Sequence, residues 1–237
     1  MSKKKQNTLR TITIDTLQKV LPARLIQSYA HRKTIEEFAD RLGLVYFGFV
    51  DQHIDEHELV RGFTLSAEHR DNHYCVGNAY GYDVTLVERA DTLRSPKQRE
   101  QTYRWVILQI DLRSADLPHM FMTPVDHSET FYTNFFIKYA RFQRLSKNIW
   151  QHHDPLFRDR LSVFAAPEAA EQLAKLFSMD VTAAIGHYFG TLEVEIYDDK
   201  LYIYDSEPHQ SQESLERLFK NGLWLAGQID AGNMTNN

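Results

Sequence analysis

From Leu44 onward apolar and polar residues alternate with a period of two through five successive runs, LVYFGFV, ELVRGFTLS, HYCVG, YDVTLVER and YRWVILQIDL. That period puts successive side chains on opposite faces of an extended strand and does not suit a helix, whose faces recur near 3.6 residues. The links between the runs are short and polar or glycine-containing, and Asn78-Ala79-Tyr80-Gly81 reads as a hairpin turn. Parallel neighbours would need crossovers of roughly a dozen residues or more, so these strands are expected to pair antiparallel. Residues 91–101, with Ser95-Pro96 and five charges, read as the longest polar interruption in this region, an exposed loop or short helix.

Helical patterns bracket the strands. Leu17, Val20, Leu21, Leu25 and Ile26 are helically spaced, with Pro22 dividing them into two short pieces. Thr34 reads as the N-cap of a separate helix carrying Ile35, Phe38, Ala39 and Leu42, with Glu37 completing a capping box and Gly43 closing it. Beyond the middle of the chain, LSVFAAP predicts a strand leading into a helix with Pro167 in its first turn, and Asp180 can cap a second helix that Gly190 ends. TLEVEIYDDKLYIYD predicts a hairpin turning at Asp198-Asp199, and Ser211 opens a final amphipathic helix with Leu215, Leu218, Phe219, Gly222, Leu225, Ala226 and Ile229 on one face. Runs of strands between helices, rather than strand–helix alternation, specify an α+β fold, mainly antiparallel sheet with flanking helices at both ends of the chain. One domain is expected over residues 8–230, with a sub-boundary allowed near 114–130, between tails at 1–7 and 231–237.

Composition narrows the function classes. Apolar residues at 43% supply a core, and 14 Phe with 12 Tyr favour sheet surfaces and aromatic clusters. A net charge of −5 gives no overall attraction to phosphate backbones, so nucleic acid is not an expected partner; the partner is unspecified, another protein being one class. Cys75 is the single cysteine, which excludes an intramolecular disulfide and makes the cytoplasm the default compartment. Nowhere do eighteen apolar residues run together, and MSKKKQNTLR leads into no apolar stretch, so no transmembrane segment or signal peptide is expected.

Residues 51–83 gather four of the eleven histidines and the cysteine, and candidate chemistry belongs there. His53 and His57 are four apart, as are His69 and His73, with Cys75 two further on. In an unbroken strand His69, Asp71, His73 and Cys75 would share a face. Imidazole and thiolate are zinc's preferred ligands, so His53, His57, His69, His73 and Cys75 form a candidate metal set. The spacing matches neither a zinc finger, which needs paired cysteines, nor a zincin, since Ile54 follows His53 where that motif has glutamate. The bland reading is a polar strand and loop with hydrogen-bonded histidines, and a single buried thiol is ordinarily inert. His152, His153 and Asp154 pair a His-Asp doublet with Pro155, which does not suit the helical metal phosphohydrolases.

In order, DEHELVRGFTLS, DNHYCVG, GYD, a Trp-containing strand ending in IDL, LPH and EVEIYDDKLYIYD resemble an uncharacterised family of bacterial proteins, over most of the chain from Leu44. The resemblance implies no activity and transfers no site residue. The resemblance extends to some related C-terminal regions, with strand, helix and hairpin after an LPH-like tripeptide, in proteins that carry membrane helices, from which this sequence departs in having no such segment.

No GxGxxG, GxxxxGK or GxSxG occurs, and with ten glycines the usual phosphate cradles are absent. The expected function is therefore a non-catalytic binding or scaffold domain without a cofactor. The alternative is a metal-dependent hydrolase using zinc or iron on the His53/His57/His69/His73/Cys75 set, with Asp55, Glu56 or Asp71 as base or further ligand.

Overall fold

The computed structural model describes residues 23–48, 60, 62–63, 69–95, 98–124, 129–206 and 211–234. Strand β1 (Val45–Gly48) pairs antiparallel with β2 (His69–Ala79), which turns at Tyr80-Gly81 into β3 (Tyr82–Ser95). Tyr80 and Gly81 have φ of 52° and 81°, the left-handed pair that a two-residue hairpin turn requires. β3 then pairs with β4 (Gln98–Asp111) as far as Ser95 opposite Gln98. The expected loop or helix at 91–101 is thus the end of a long two-stranded ribbon. A ladder is made by backbone groups and tolerates polar side chains where no core lies against it, as at Thr92 and Thr102, whose hydroxyls face each other across the ribbon.

The C-terminal hairpin completes the sheet from its centre. β8 (Glu193–Tyr197) and β9 (Lys200–Asp205) turn at Asp198 and Asp199, both at positive φ, as the sequence predicts. β9 pairs with β4, and β8 pairs with β5 (Met120–Pro124). β5 pairs with β7 (Leu161–Ala165), which carries the short β6 (Gln143–Arg144). Among the described residues this gives one nine-stranded sheet in the order β1-β2-β3-β4-β9-β8-β5-β7-β6, every pair antiparallel. One continuous sheet therefore spans both sides of the stretch at 114–130.

Helices cover the aliphatic face. α1 (Ala23–Leu42) and α6 (Gln212–Met234) lie over Leu86, Leu108, Ile110 and Ile203, joined by α4 (Ala170–Leu176) and α5 (Met179–Tyr188), with α3 (Pro155–Arg160) against α5. The whole predicted stripe of α6, Leu215 to Ile229, is buried. α1 is longer than the sequence suggests: it runs unbroken through Thr34, whose hydroxyl donates to the Ala30 carbonyl within the helix instead of capping a new one. Gly43, at φ 71°, ends it as expected. Ser178 rather than Asp180 caps α5, its hydroxyl accepting from the Val181 N–H. α6 continues past the expected end at Asp230, whose buried carboxylate accepts from the Tyr82 hydroxyl and the Arg113 and Ser114 N–H groups. The tail at 1–7, the last three residues of the tail expected at 231–237, the strand ELVRGFTLS apart from Val60, Gly62 and Phe63, and the helical piece before Pro22 lie outside the described residues.

Aromatic rings fill the opposite face. Phe63 touches Trp105, Phe121, Phe131, Phe135, Tyr139 and Tyr204, and α2 (Glu129–Lys138) closes the layer with Phe131 and Phe135. The fully buried Arg89 holds this side in place: its guanidinium forks onto Asp71 at 2.7 and 2.8 Å and donates to the carbonyls of Val60, Gly62 and Phe63. No described helix is long and apolar enough to cross a membrane.

Candidate functional site

The strand register explains what becomes of the histidine block. Asn72 stands opposite Glu88 and Cys75 opposite Leu86, so His73 and Tyr74 together face Val87 in a β-bulge. His73 takes φ 58° there. The bulge breaks the expected alternation. Asp71 and Tyr74 now share the aromatic side, with the Tyr74 hydroxyl donating to Asp71, while Cys75 turns into the core beneath α1. His69 lies 3.8 Å from an Asp71 oxygen. The Cys75 thiol is buried, 3.5 Å from the His73 carbonyl, and burial followed by the Glu36 carboxylate pushes it up to about 12. His53 and His57 lie outside the described residues. Of the five candidates, His73 alone joins a ligand-like cluster among the described residues, and its companions there are residues the sequence reading did not select.

Those companions are His31 on α1 and Glu88 on β3. His31 Nε2 is 2.6 Å from Glu88 Oε2, His73 Nε2 is 3.6 Å from the same oxygen, and one donor atom from each residue lies within 4.8 Å of the others. The Tyr46 hydroxyl shares a 2.8 Å hydrogen bond with His73 Nδ1, and Arg104 approaches Glu88 Oε1 at 3.6 Å. Burial pushes the His73 pKa below its ordinary value against the opposing pull of the Glu88 carboxylate, and the charges of His31 and Arg32 act in the same downward direction. For Glu88, burial works upward, but the hydrogen bond and charge of His31, with His73 and Arg104, hold the carboxyl below its usual range. One signal in the sequence points to this pair: counting outward from the Tyr80-Gly81 turn in unbroken register sets Glu88 across from His73. Nothing local announces His31, which is 57 residues from Glu88.

A second convergence is internal. Glu195, fully buried on β8, accepts from the Tyr139 hydroxyl at 3.0 Å, from the Tyr204 hydroxyl and from the Phe63 N–H, and pairs with His119 at 2.9 Å. The LPH tripeptide and the closing hairpin thus meet at one carboxylate.

Among the described residues, concave surface flanks α6 on two sides. A groove of about 820 Å³ between α5 and α6 is lined by Tyr188, Phe189, Arg217, Lys220 and Trp224 among others, and one of about 580 Å³ between α1 and α6 by Phe38, Leu42, Tyr80, Phe219 and Leu223. Glu216, Lys220 and Trp224 border both. Tyr80 and Tyr188 are largely exposed. The polar groups there are mostly engaged: Glu216 with Arg41 at 2.9 Å, Arg217 with Asp205 at 3.6 Å, Asn221 with the Tyr188 carbonyl, and Ser211 with Ser214 at the start of α6.

No protein-family pattern matches the chain, and no curated protein matches it. Among solved structures it is similar to the crystal structure of the mycobacterial trehalose monomycolate transport factor A, TtfA, with a TM-score of 0.56 and 7% identity over 86% of this chain and 94% of that one. At that identity the likeness is one of fold.

Proposed function

We propose that the protein is a non-catalytic binding domain that holds an amphipathic helical segment of another protein along α6. The observation that carries this reading is the pair of grooves flanking one helix, floored by Phe38, Phe189, Phe219 and Trp224. Grooves of this form take the apolar face of a helix at i, i+3, i+4 and i+7 spacing, with aromatic anchors dominating the affinity. Both hydroxyls at the start of α6 and most of the charges are engaged within the fold, which suits a surface for recognition better than one for acid–base chemistry. Lys220, exposed between the two grooves, favours an occupant with an acidic flank. The protein of similar fold is named as a transport factor, and a partner-binding role is in keeping with that name.

The test is a displayed library of amphipathic helical peptides selected on the purified full chain. Selected peptides should carry helically spaced apolar residues with acidic neighbours. Trp224→Ala should weaken their binding by about tenfold or more, the equivalent of about 1.4 kcal/mol, and Lys220→Glu should do the same for the acidic ones. Peptides that bind the two variants as well as the parent protein would defeat the proposal.

A further inference from the structure

We propose that His31, His73 and Glu88 form a binding site for a divalent first-row metal ion, zinc or ferrous iron, that ties α1 to strands β2 and β3. The three donors come from three elements, α1, the bulge in β2, and β3, and meet at one place. An ion bound at about 2.0 to 2.2 Å by nitrogen and carboxylate oxygen sets neighbouring ligand atoms roughly 3.3 Å apart. The separations of 2.6 and 3.6 Å from Glu88 Oε2 straddle that value, so small side-chain rotations suffice to admit the ion. The 3.6 Å contact is too long for a hydrogen bond, yet it suits two ligands of one ion.

The atoms around the donors fit the same assignment. Tyr46 engages Nδ1 of His73, which leaves Nε2 directed at the cluster, and Arg104 approaches the Glu88 oxygen that does not face the imidazoles. Partners of this kind orient metal ligands and select the imidazole nitrogen that binds. His73 holds a left-handed backbone conformation, uncommon for a residue with a side chain, in a bulge that turns its ring toward His31 and Glu88. Two imidazoles and one carboxylate favour zinc or iron over calcium or magnesium, which take oxygen ligands. Three protein ligands leave room in the coordination shell for solvent. The site lies apart from the grooves along α6 and does not depend on the reading given to them.

The experiment uses the full chain, dialysed against a chelator and titrated with Zn2+ by calorimetry, with Mg2+ and Ca2+ as controls and the thermal midpoint followed in parallel. Zinc should bind at about one equivalent and raise the midpoint, while the controls do neither. His31→Gln, His73→Gln and Glu88→Gln should each weaken zinc binding at least about tenfold with an unchanged far-ultraviolet spectrum, whereas His69→Gln and Cys75→Ala should bind like the parent. Should His73→Gln or Glu88→Gln not fold, His31→Gln, on a partly exposed helical position, still decides. Zinc that fails to bind, or that binds the three variants as tightly as the parent, overturns the proposal; so does binding that Cys75→Ala abolishes.

Discussion

Several single groups in this fold are protonated because they are buried. Burial pushes the Cys75 thiol from its ordinary value near 9.0 up to about 12. Burial first, and the Glu195 carboxylate second, also raise the hydroxyls of Tyr139, Tyr202 and Tyr204. In the unfolded chain these groups lose their protons at ordinary values, so above that point the unfolded state binds fewer protons than the folded one. The stability they contribute is fully present below about pH 9 and is lost as pH rises toward about 12. The urea midpoint should therefore fall steadily across that alkaline window, and Cys75 should react with iodoacetamide at about pH 8 only once urea has unfolded the chain. A midpoint that holds to about pH 11 would contradict this. An inert thiol is legible from a lone cysteine beside a strand. Arg89 is not: in an alternating strand an arginine reads as a solvent-side residue, and its buried role needs Asp71 and three carbonyls that only the assembled fold supplies.

Among elements, the hairpins and the final helix follow from local pattern, whereas the helix crossings depend on close approaches that pattern does not disclose. Two glycines mark such approaches. A Cβ on Gly186 of α5 would lie 2.7 Å from the backbone nitrogen of Phe157, where α3 crosses. A Cβ on Gly222 of α6 would meet Leu108 Cδ2 at 2.8 Å, Ile110 Cδ1 at 3.2 Å and Ile203 Cγ1 at 3.3 Å. Backbone cannot rotate away, but a leucine tip can, and alanine within a helix gains up to about 1 kcal/mol over glycine. Gly186→Ala should cost about 1 to 3 kcal/mol in urea unfolding, and Gly222→Ala should stay within about 1 kcal/mol of the parent. Equal losses at the two positions would mean that α6 is seated as rigidly as the α3–α5 crossing. The β2 bulge belongs to the same class: the unbroken alternation read from the sequence put Asp71 and Cys75 on one face, and a single extra residue separates them.

At the scale of the molecule, the period of two and the short links were enough to specify an antiparallel α+β fold. They did not specify that the C-terminal hairpin would join the two halves of the sheet, because β4–β9 and β5–β8 pairing is set by long-range contacts. The site residues were hidden for the same reason, since His31 reaches Glu88 only after α1 packs on the sheet. Glu195 shows how buried charge completes this long-range assembly. It lies on the central hairpin and gathers donors from the Phe63 segment, from Tyr139 just beyond α2, from Tyr204 on β9 and from His119 before β5. Replacing it by glutamine keeps the shape but turns an amide NH2 toward one pair of these donors, either the buried Phe63 N–H and Tyr204 hydroxyl or the part-buried His119 and Tyr139. Each orphaned donor costs about 1 to 3 kcal/mol, so Glu195→Gln should lose about 2 to 5 kcal/mol, and Tyr204→Phe, which removes one donor to the carboxylate and one acceptor that the Phe63 N–H shares with Glu195, about 1 to 2 kcal/mol. Because the two residues share a bond, the double variant should be less damaged than the sum of the singles, with a coupling of about 0.5 to 3 kcal/mol from urea unfolding of all four proteins. Strict additivity, or a Glu195→Gln protein within about 1 kcal/mol of the parent, would show that the ring cluster around Phe63 holds the two halves together without the carboxylate.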